Sequence, residues 1–242
     1  MPPAGFWLPW RLLLLLWLAY PARAQDTGLA EYEELKSQAE NKFGPPAELL
    51  NGEKYYYPYS TSIGNPFLQV SGNGSLQIDG TVYRDQQLKY DIYNQLLVLE
   101  YRDQSFAPVS IVVGMERLDS FTIGGLSFKK YRDPEGNMQY GQVVYEGRYS
   151  LIYFWRKTYS PELGNGGKQY EFSESMRTSV ILSDQHRYPY KGNRSFIRVF
   201  PKGDREQIKQ EIKNQRIRVK KATDREMKAI MEKINQITGS DE

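Results

Sequence analysis

The chain has no cysteine and one histidine, His186. The first absence excludes disulfides, thiolate metal sites, a cysteine nucleophile and lipid attachment through a cysteine. Together with the single histidine it argues against a transition-metal centre, because such sites draw on imidazole and thiolate donors. Long apolar runs are missing too. A membrane span takes about 20 apolar residues, and the longest run here, Leu12–Tyr20, is interrupted soon after by Pro21 and Arg23. No G-x-S-x-G elbow presents a serine, and the glycine-bearing stretches "GNPF", "SGNGS" and "LGNGGKQ" lack phosphate-loop or dinucleotide spacing, so they read as loops. No cofactor is expected.

What the N-terminus does contain is a leader pattern. In "WRLLLLLWLAYPARAQD" a single Arg11 precedes the apolar core, and Ala22-Arg23-Ala24 supplies the small-x-small site of a signal peptidase. Cleavage is expected between Ala24 and Gln25, leaving a secreted chain, periplasmic or extracellular, with no integral membrane span. The leader carries Arg11 and Arg23 and no acid, so its loss lowers the net charge from +3 to +1. A nearly neutral chain has no global field to gather polyanions, and no nucleic-acid partner is expected in that compartment.

The organisation follows from periodicity. Residues 25–52 hold a predicted helix, "GLAEYEELKSQAENKF", stopped by Gly44-Pro45-Pro46. From 53 to 201 the pattern is short apolar or alternating runs about every ten residues, from "SLQIDGTVY" to "RTSVILS" and "SFIRVF". That is the rhythm of an antiparallel meander, and no stretch between the runs suits a crossover helix. In "QLKYDIY", Leu88, Tyr90 and Ile92 share one face, while Leu151–Trp155 is apolar on both faces and reads as a central strand or a cavity wall. Gly124-Gly125 and "DPEGN" read as hairpin turns; the latter lacks the repeated acids of a calcium loop.

Residues 202–242 return to helix. Asp204 is an N-cap candidate with Ile208 and Ile212 on one face, and Thr223 with Glu226 forms a capping box before the stripe Met227, Ile230, Met231 and Ile234. Between the two helices "RIRVKK" alternates Ile217 and Val219 with Arg216, Arg218 and Lys220, and reads as a solvated face rather than an anion grip. The expected fold class is mainly β (α+β): an antiparallel meander forming a curved sheet or half-barrel, with one N-terminal and two C-terminal helices packed on it.

What stands above background is aromatic content, with 19 Tyr and 10 Phe. "YYYPYS" places Tyr55, Tyr56, Tyr57 and Tyr59 around Pro58, and four tyrosines in one segment cannot all be buried there. These four, with Tyr153 and Trp155 on the two-faced strand, are the candidate ligand-binding residues, as an aromatic patch or a cavity wall. His186 with Asp184 reads as a surface pair beside a turn; adjacency in sequence is not triad geometry.

"GTVYRDQQLKYDIYNQLLVLEY" and "RSFIRVFPKGDREQIKQEIKNQRIRVKKATDREMKAIMEKIN" together resemble a group of secreted, β-rich envelope proteins of Bacteroidetes-type bacteria. The resemblance implies an envelope or secreted setting, peripheral to the outer membrane at most, and supplies no functional residues. Three function classes remain. The first is a non-enzymatic envelope protein that mediates protein or envelope contacts. The second is a carrier holding an apolar, lipid-like ligand in the curved sheet. The third is a carboxylate-dependent hydrolase. The expected partner is an envelope protein or an apolar ligand, with no nucleic acid.

Overall fold

A computed structural model describes residues 35, 49, 52–59, 61–103, 105–164, 167–184 and 186–239. The leader with its Ala24/Gln25 junction, and the predicted N-terminal helix apart from Leu35 (helical and exposed), lie outside these residues. No helix among the described residues is long and apolar enough to cross a membrane.

The fold is mostly β. The strands are β1 (Phe67–Ile78), β2 (Thr81–Asp91), β3 (Leu96–Arg102), β4 (Pro108–Val112), β5 (Leu118–Ile123), β6 (Leu126–Arg132), β7 (Met138–Tyr145), β8 (Ser150–Arg156), β9 (Tyr159–Gly164), β10 (Gly167–Phe172), β11 (Met176–Ser183) and β12 (His186–Tyr190). Ten of them form one open antiparallel sheet in the order β12-β11-β8-β7-β6-β5-β1-β2-β3-β4, and β9–β10 is a separate hairpin. The expected hairpin turns are present. Gly124 and Gly125, both with positive φ, join β5 to β6 (Ile123 opposite Leu126), and Asp133–Asn137 joins β6 to β7.

The sheet is strongly curved, and its aromatic rings show how strongly. Tyr90 on β2 and Phe128 on β6 are three strands apart in the sheet, about 14 Å at ordinary strand spacing, yet their ring centroids lie 5.4 Å apart. Phe121 on β5 closes the triangle at 5.2 Å from Tyr90 and 4.7 Å, stacked, from Phe128. The sheet therefore rolls around its own side chains, and its concave face becomes a core of Leu76, Leu88, Tyr90, Leu97, Leu99, Phe121, Phe128 and neighbours. Gln95, in the β2–β3 turn, reaches across to the carbonyl of Trp155 on β8 at 3.0 Å.

The bend is placed by β1. "SGNGS" lies inside this strand and not in a loop, as its glycines first suggested. Register shifts flank it on the β2 side, Gly72 has φ +123°, and a Cβ at Gly74 would meet the Thr122 carbonyl oxygen at 2.0 Å. Glycines at a bulge let one long strand serve two directions of the roll.

Where the concave face runs on to β7, β8, β11 and β12, helices cover it: α1 (Asn193–Ile197), α2 (Arg205–Asn214) and α3 (Asp224–Gly239). Met227, Ile230, Met231 and Ile234 form the buried stripe of α3, and the Thr223/Glu226 capping box is made in both directions. Asp204 stands at the N-cap of α2, but its side chain makes no capping bond. "SFIRVF" is not a strand. Phe196 and Phe200, four residues apart, pack together on one side of α1 and its following turn, on Tyr190 and Tyr149. The last strand is instead β12, whose Pro189 is tolerated because it lies at the sheet edge.

Strand β8 is buried on both faces by protein. Leu151 and Tyr153 lie under the helices, and Ile152 and Phe154 pack with Val180 on the opposite side. The half-buried Trp155 touches both parts of the concave core and donates its indole N–H to Gln142 Oε1 at 2.8 Å. Gln142 in turn donates to Asp224 at the start of α3, 2.6 Å. At the far end of that helix Asn235 pairs with the backbone of Tyr149, and Arg148 donates to the carbonyl of Thr238.

Two tests follow. Trp155→Ala should lower stability by about 3 kcal/mol, since it opens the seam between the two parts of the core and leaves Gln142 without its donor; a change in denaturant melts below about 1 kcal/mol would contradict that placement. Burial pushes the Tyr153 hydroxyl up to about 12, against the lowering effect of Arg177, and raises Tyr90 and Tyr190 as well. The fold thus holds phenol protons that the unfolded chain sheds from about pH 10. Stability should be unaffected by these groups below about pH 10 and fall steadily toward about pH 12; melts that stay flat across that window would contradict it.

Candidate functional site

The site is built on a strap that precedes the sheet. At one end residues 53–55 pair with the edge strand β4: Tyr55 N–H donates to Ser110 O at 2.9 Å and Val112 N–H to Glu53 O at 2.8 Å. At the other end Ile63 bridges β10, giving its N–H to Tyr170 O and accepting from Phe172 N–H. Between these anchors run Tyr56, Tyr57, Pro58 and Tyr59. A strap that crosses from a sheet edge to a separate hairpin must be pinned from beneath, and two buried charges do so.

The first is Asp91, at the end of β2 and 0% exposed. Its carboxylate accepts from the Tyr55 hydroxyl (2.8 Å), the backbone N–H groups of Tyr93 (3.0 Å) and Asn94 (2.8 Å), and the Asn94 side chain (2.8 Å). A buried carboxylate that takes four donors is a structural anchor, since its lone pairs are committed. The second is Lys157, which donates to the carbonyl of Asn65 at 2.7 Å. Its removal from water pulls its pKa below the ordinary lysine range, while Glu174 and Asp91 act to keep it charged. The Tyr55 hydroxyl is held neutral by burial and by its bond to Asp91.

Over these anchors the rings converge. Tyr59 is the hub, edge-on to Phe172 (4.9 Å), Tyr159 (5.1 Å), Tyr57 (5.6 Å) and Tyr93 (6.1 Å). Tyr57 stacks parallel on Phe67 at 6.3 Å, and Tyr170 stacks on Tyr159 at 5.2 Å. Ser62 and Tyr159 share a hydrogen bond of 2.7 Å. The inner rings are packed, while the outer ones stay open: Tyr170 is 46% exposed, and Tyr57 and Tyr93 38% each, with Ile63 on the strap at 44%. The result is an aromatic face packed at its centre, open at its outer rings and held from below through the Tyr55 and Tyr159 hydroxyls.

Of the six residues expected to bind a ligand, the structure brings Tyr55, Tyr57 and Tyr59 to this face, while Tyr56 lies between Tyr55 and Tyr57 in the strap and is 80% exposed. It does not bring Tyr153 and Trp155 there. Tyr153 is fully buried under the C-terminal helices, with the Arg177 guanidinium 4.2 Å over its ring, and Trp155 is the seam of the core. Sequence reasoning missed Phe67, Asp91, Tyr93, Tyr159, Tyr170 and Phe172. Nothing local distinguishes the rings from ordinary strand aromatics, and the alternation in "QLKYDIY" puts Asp91 opposite Leu88, Tyr90 and Ile92, on the face expected to be wet, whereas it is 0% exposed.

No protein-family model matches this chain, and no curated protein or solved structure does either. The remaining chemistry is therefore read from geometry. His186 lies exposed in β12 with its Nδ1 3.0 Å from the main-chain oxygen of Asp184, not the carboxylate. The Asp133 carboxylate in the "DPEGN" turn is occupied by Asn137 and Gln139 donors. Among the described residues no three acids or histidines cluster as metal ligands.

Asp91→Ala should destabilise the fold by about 3 kcal/mol, since it strands several buried donors, whereas Tyr56→Ala should stay within about 0.5 kcal/mol. Equal effects in parallel denaturant melts would show that Asp91 is not the anchor.

Proposed function

We propose that this chain is a non-catalytic contact module of the bacterial envelope, exported by its leader, that docks a protein partner through the tyrosine face. The observation that carries this reading is the pairing of a committed buried anchor with exposed rigid rings. Tyrosine presents a large contact area with only two side-chain torsions to freeze, and a hydroxyl to replace lost water contacts. Interfaces are enriched in such residues, and a contiguous exposed apolar patch of this kind on a folded chain is characteristic of a contact site. The carboxylate of Asp91 beneath the face is fully hydrogen-bonded, which suits an organiser better than an acid or base.

The carrier alternative rested on a strand apolar on both faces. That feature is accounted for by packing, with helices on one side of β8 and Val180 on the other, so a ligand is not needed to explain it. The export signal and the resemblance to envelope proteins support the setting.

The test is site-specific photocrosslinking in the native cell, with the reactive residue at Tyr57 and, as a control, at the exposed Met138. One reproducible adduct at Tyr57, absent at Met138 and reduced about tenfold by Tyr170→Ala, is expected, as for an anchor ring in an interface. The same faint ladder at both positions would overturn the reading.

A further inference from the structure

A second surface lies on the opposite kind of chemistry. Between α1, α2 and the turn after α2 runs a groove of about 800 Å³ lined by Asn193, Ile197, Ile212 and Ile217 and by Arg194, Arg198, Lys209, Lys213, Arg216 and Arg218. Its floor is apolar and every charge on its walls is positive. Lys209 pairs with Glu206, but none of the other five cations is in an ion pair among the described residues. The chain as a whole is close to neutral, so this is local concentration rather than a general basic field. The run read from sequence as a solvated face is exposed as expected, yet two of its arginines form one wall of the groove.

The backbone adds an independent sign. α2 ends in a paired-bond motif, with Arg216 N–H to Lys213 O and Ile217 N–H to Ile212 O, both 3.0 Å. The residue after the cap in this motif is normally glycine, because it must take a left-handed conformation. Here it is Arg216, with φ +54°. Arg216 therefore holds this turn at some cost in backbone strain, with its side chain on the groove wall.

We infer that this groove seats the phosphate headgroup and upper acyl chain of an anionic phospholipid, placing the chain at a membrane surface. A concave, apolar-floored site of this volume suits a small amphiphile, and the five cations outside the Lys209–Glu206 pair complement a phosphate-bearing head. The groove offers only three isoleucines, too short an apolar trough for the repeated anchors of a bound helix. This surface is separate from the tyrosine face, and either could fail without the other.

The test is co-sedimentation of the chain from Gln25 onward with phosphatidylcholine vesicles, with and without phosphatidylglycerol, across a salt series. Binding should require phosphatidylglycerol and weaken with salt. Arg194→Ala with Arg218→Ala should weaken it at least about tenfold, at roughly fivefold per cation near the surface. The control pair Lys228→Ala with Lys233→Ala, exposed on α3, removes the same charge and should change it less than about twofold. Arg216→Gly is the sharpest variant: it should weaken binding about fivefold while raising Tm by about 2–4 °C through relief of backbone strain. Equal binding to both vesicle types, equal loss in the control pair, displacement by inorganic phosphate at matched ionic strength, or preference for an acidic amphipathic peptide over vesicles would each overturn the assignment.

Discussion

Everything in this fold depends on one constraint: an open ten-stranded sheet has to bury a face, and it does so first by rolling round its own aromatic rings. The Tyr90–Phe121–Phe128 cluster is the axis of that roll. Because strands distant in the sheet are brought into contact there, the β2–β3 turn is carried toward β8, while Asp91 at the end of β2 holds the strap that runs beside β4. The tyrosine face is a consequence of the curl. Its rings come from the strap, the start of β1, the β2–β3 turn and the β9–β10 hairpin, which a flat sheet would leave far apart.

The roll does not close. Its far end is finished by three helices, pinned at both termini of the longest by Asp224 and Asn235. This division of labour separates two surfaces with different chemistry. The aromatic face is dominated by rings and anchored on the buried Asp91, with the Lys89–Glu100 pair at its Phe67 edge; the helical end is apolar beneath and cationic outside. In both places the informative residues break a local preference. Asp91 is a carboxylate with no exposure, and Arg216 is a side chain in a left-handed turn. Asp91 is held by four donors, and Arg216 by the paired bonds at the end of α2.

The β-rich class, the meander and the C-terminal stripe were legible in the sequence because they are written in alternation and in i, i+3, i+4 spacing, which reflect one-sided burial directly. The misreadings share a cause. "SGNGS" looked like a loop since glycine weakens a strand, but a bend in a long strand needs that weakness. "SFIRVF" looked like a strand, although Phe196 and Phe200 at four-residue spacing fit a helix better. At the site, the strap tyrosines were legible from their density alone. Their partners were not, because Asp91, Tyr159 and Phe172 become neighbours only through the curl, and no local pattern encodes it. Trp155 and Tyr153 were drawn toward the site by being aromatic on a two-faced strand, and the helices that bury that strand explain it instead.

The central claim is that folding itself preforms the tyrosine face, with Asp91 as its anchor, before any partner arrives. Amide hydrogen exchange of the isolated chain tests it most directly, read at Tyr55 and Ile63, whose N–H groups bond to Ser110 O and Tyr170 O. The account predicts slow exchange at both in the wild type, and fast exchange at both in Asp91→Ala while the Tyr90–Phe128 core keeps its protection. Strap amides that exchange freely in the wild type would contradict it, because the face would then be assembled only by its partner.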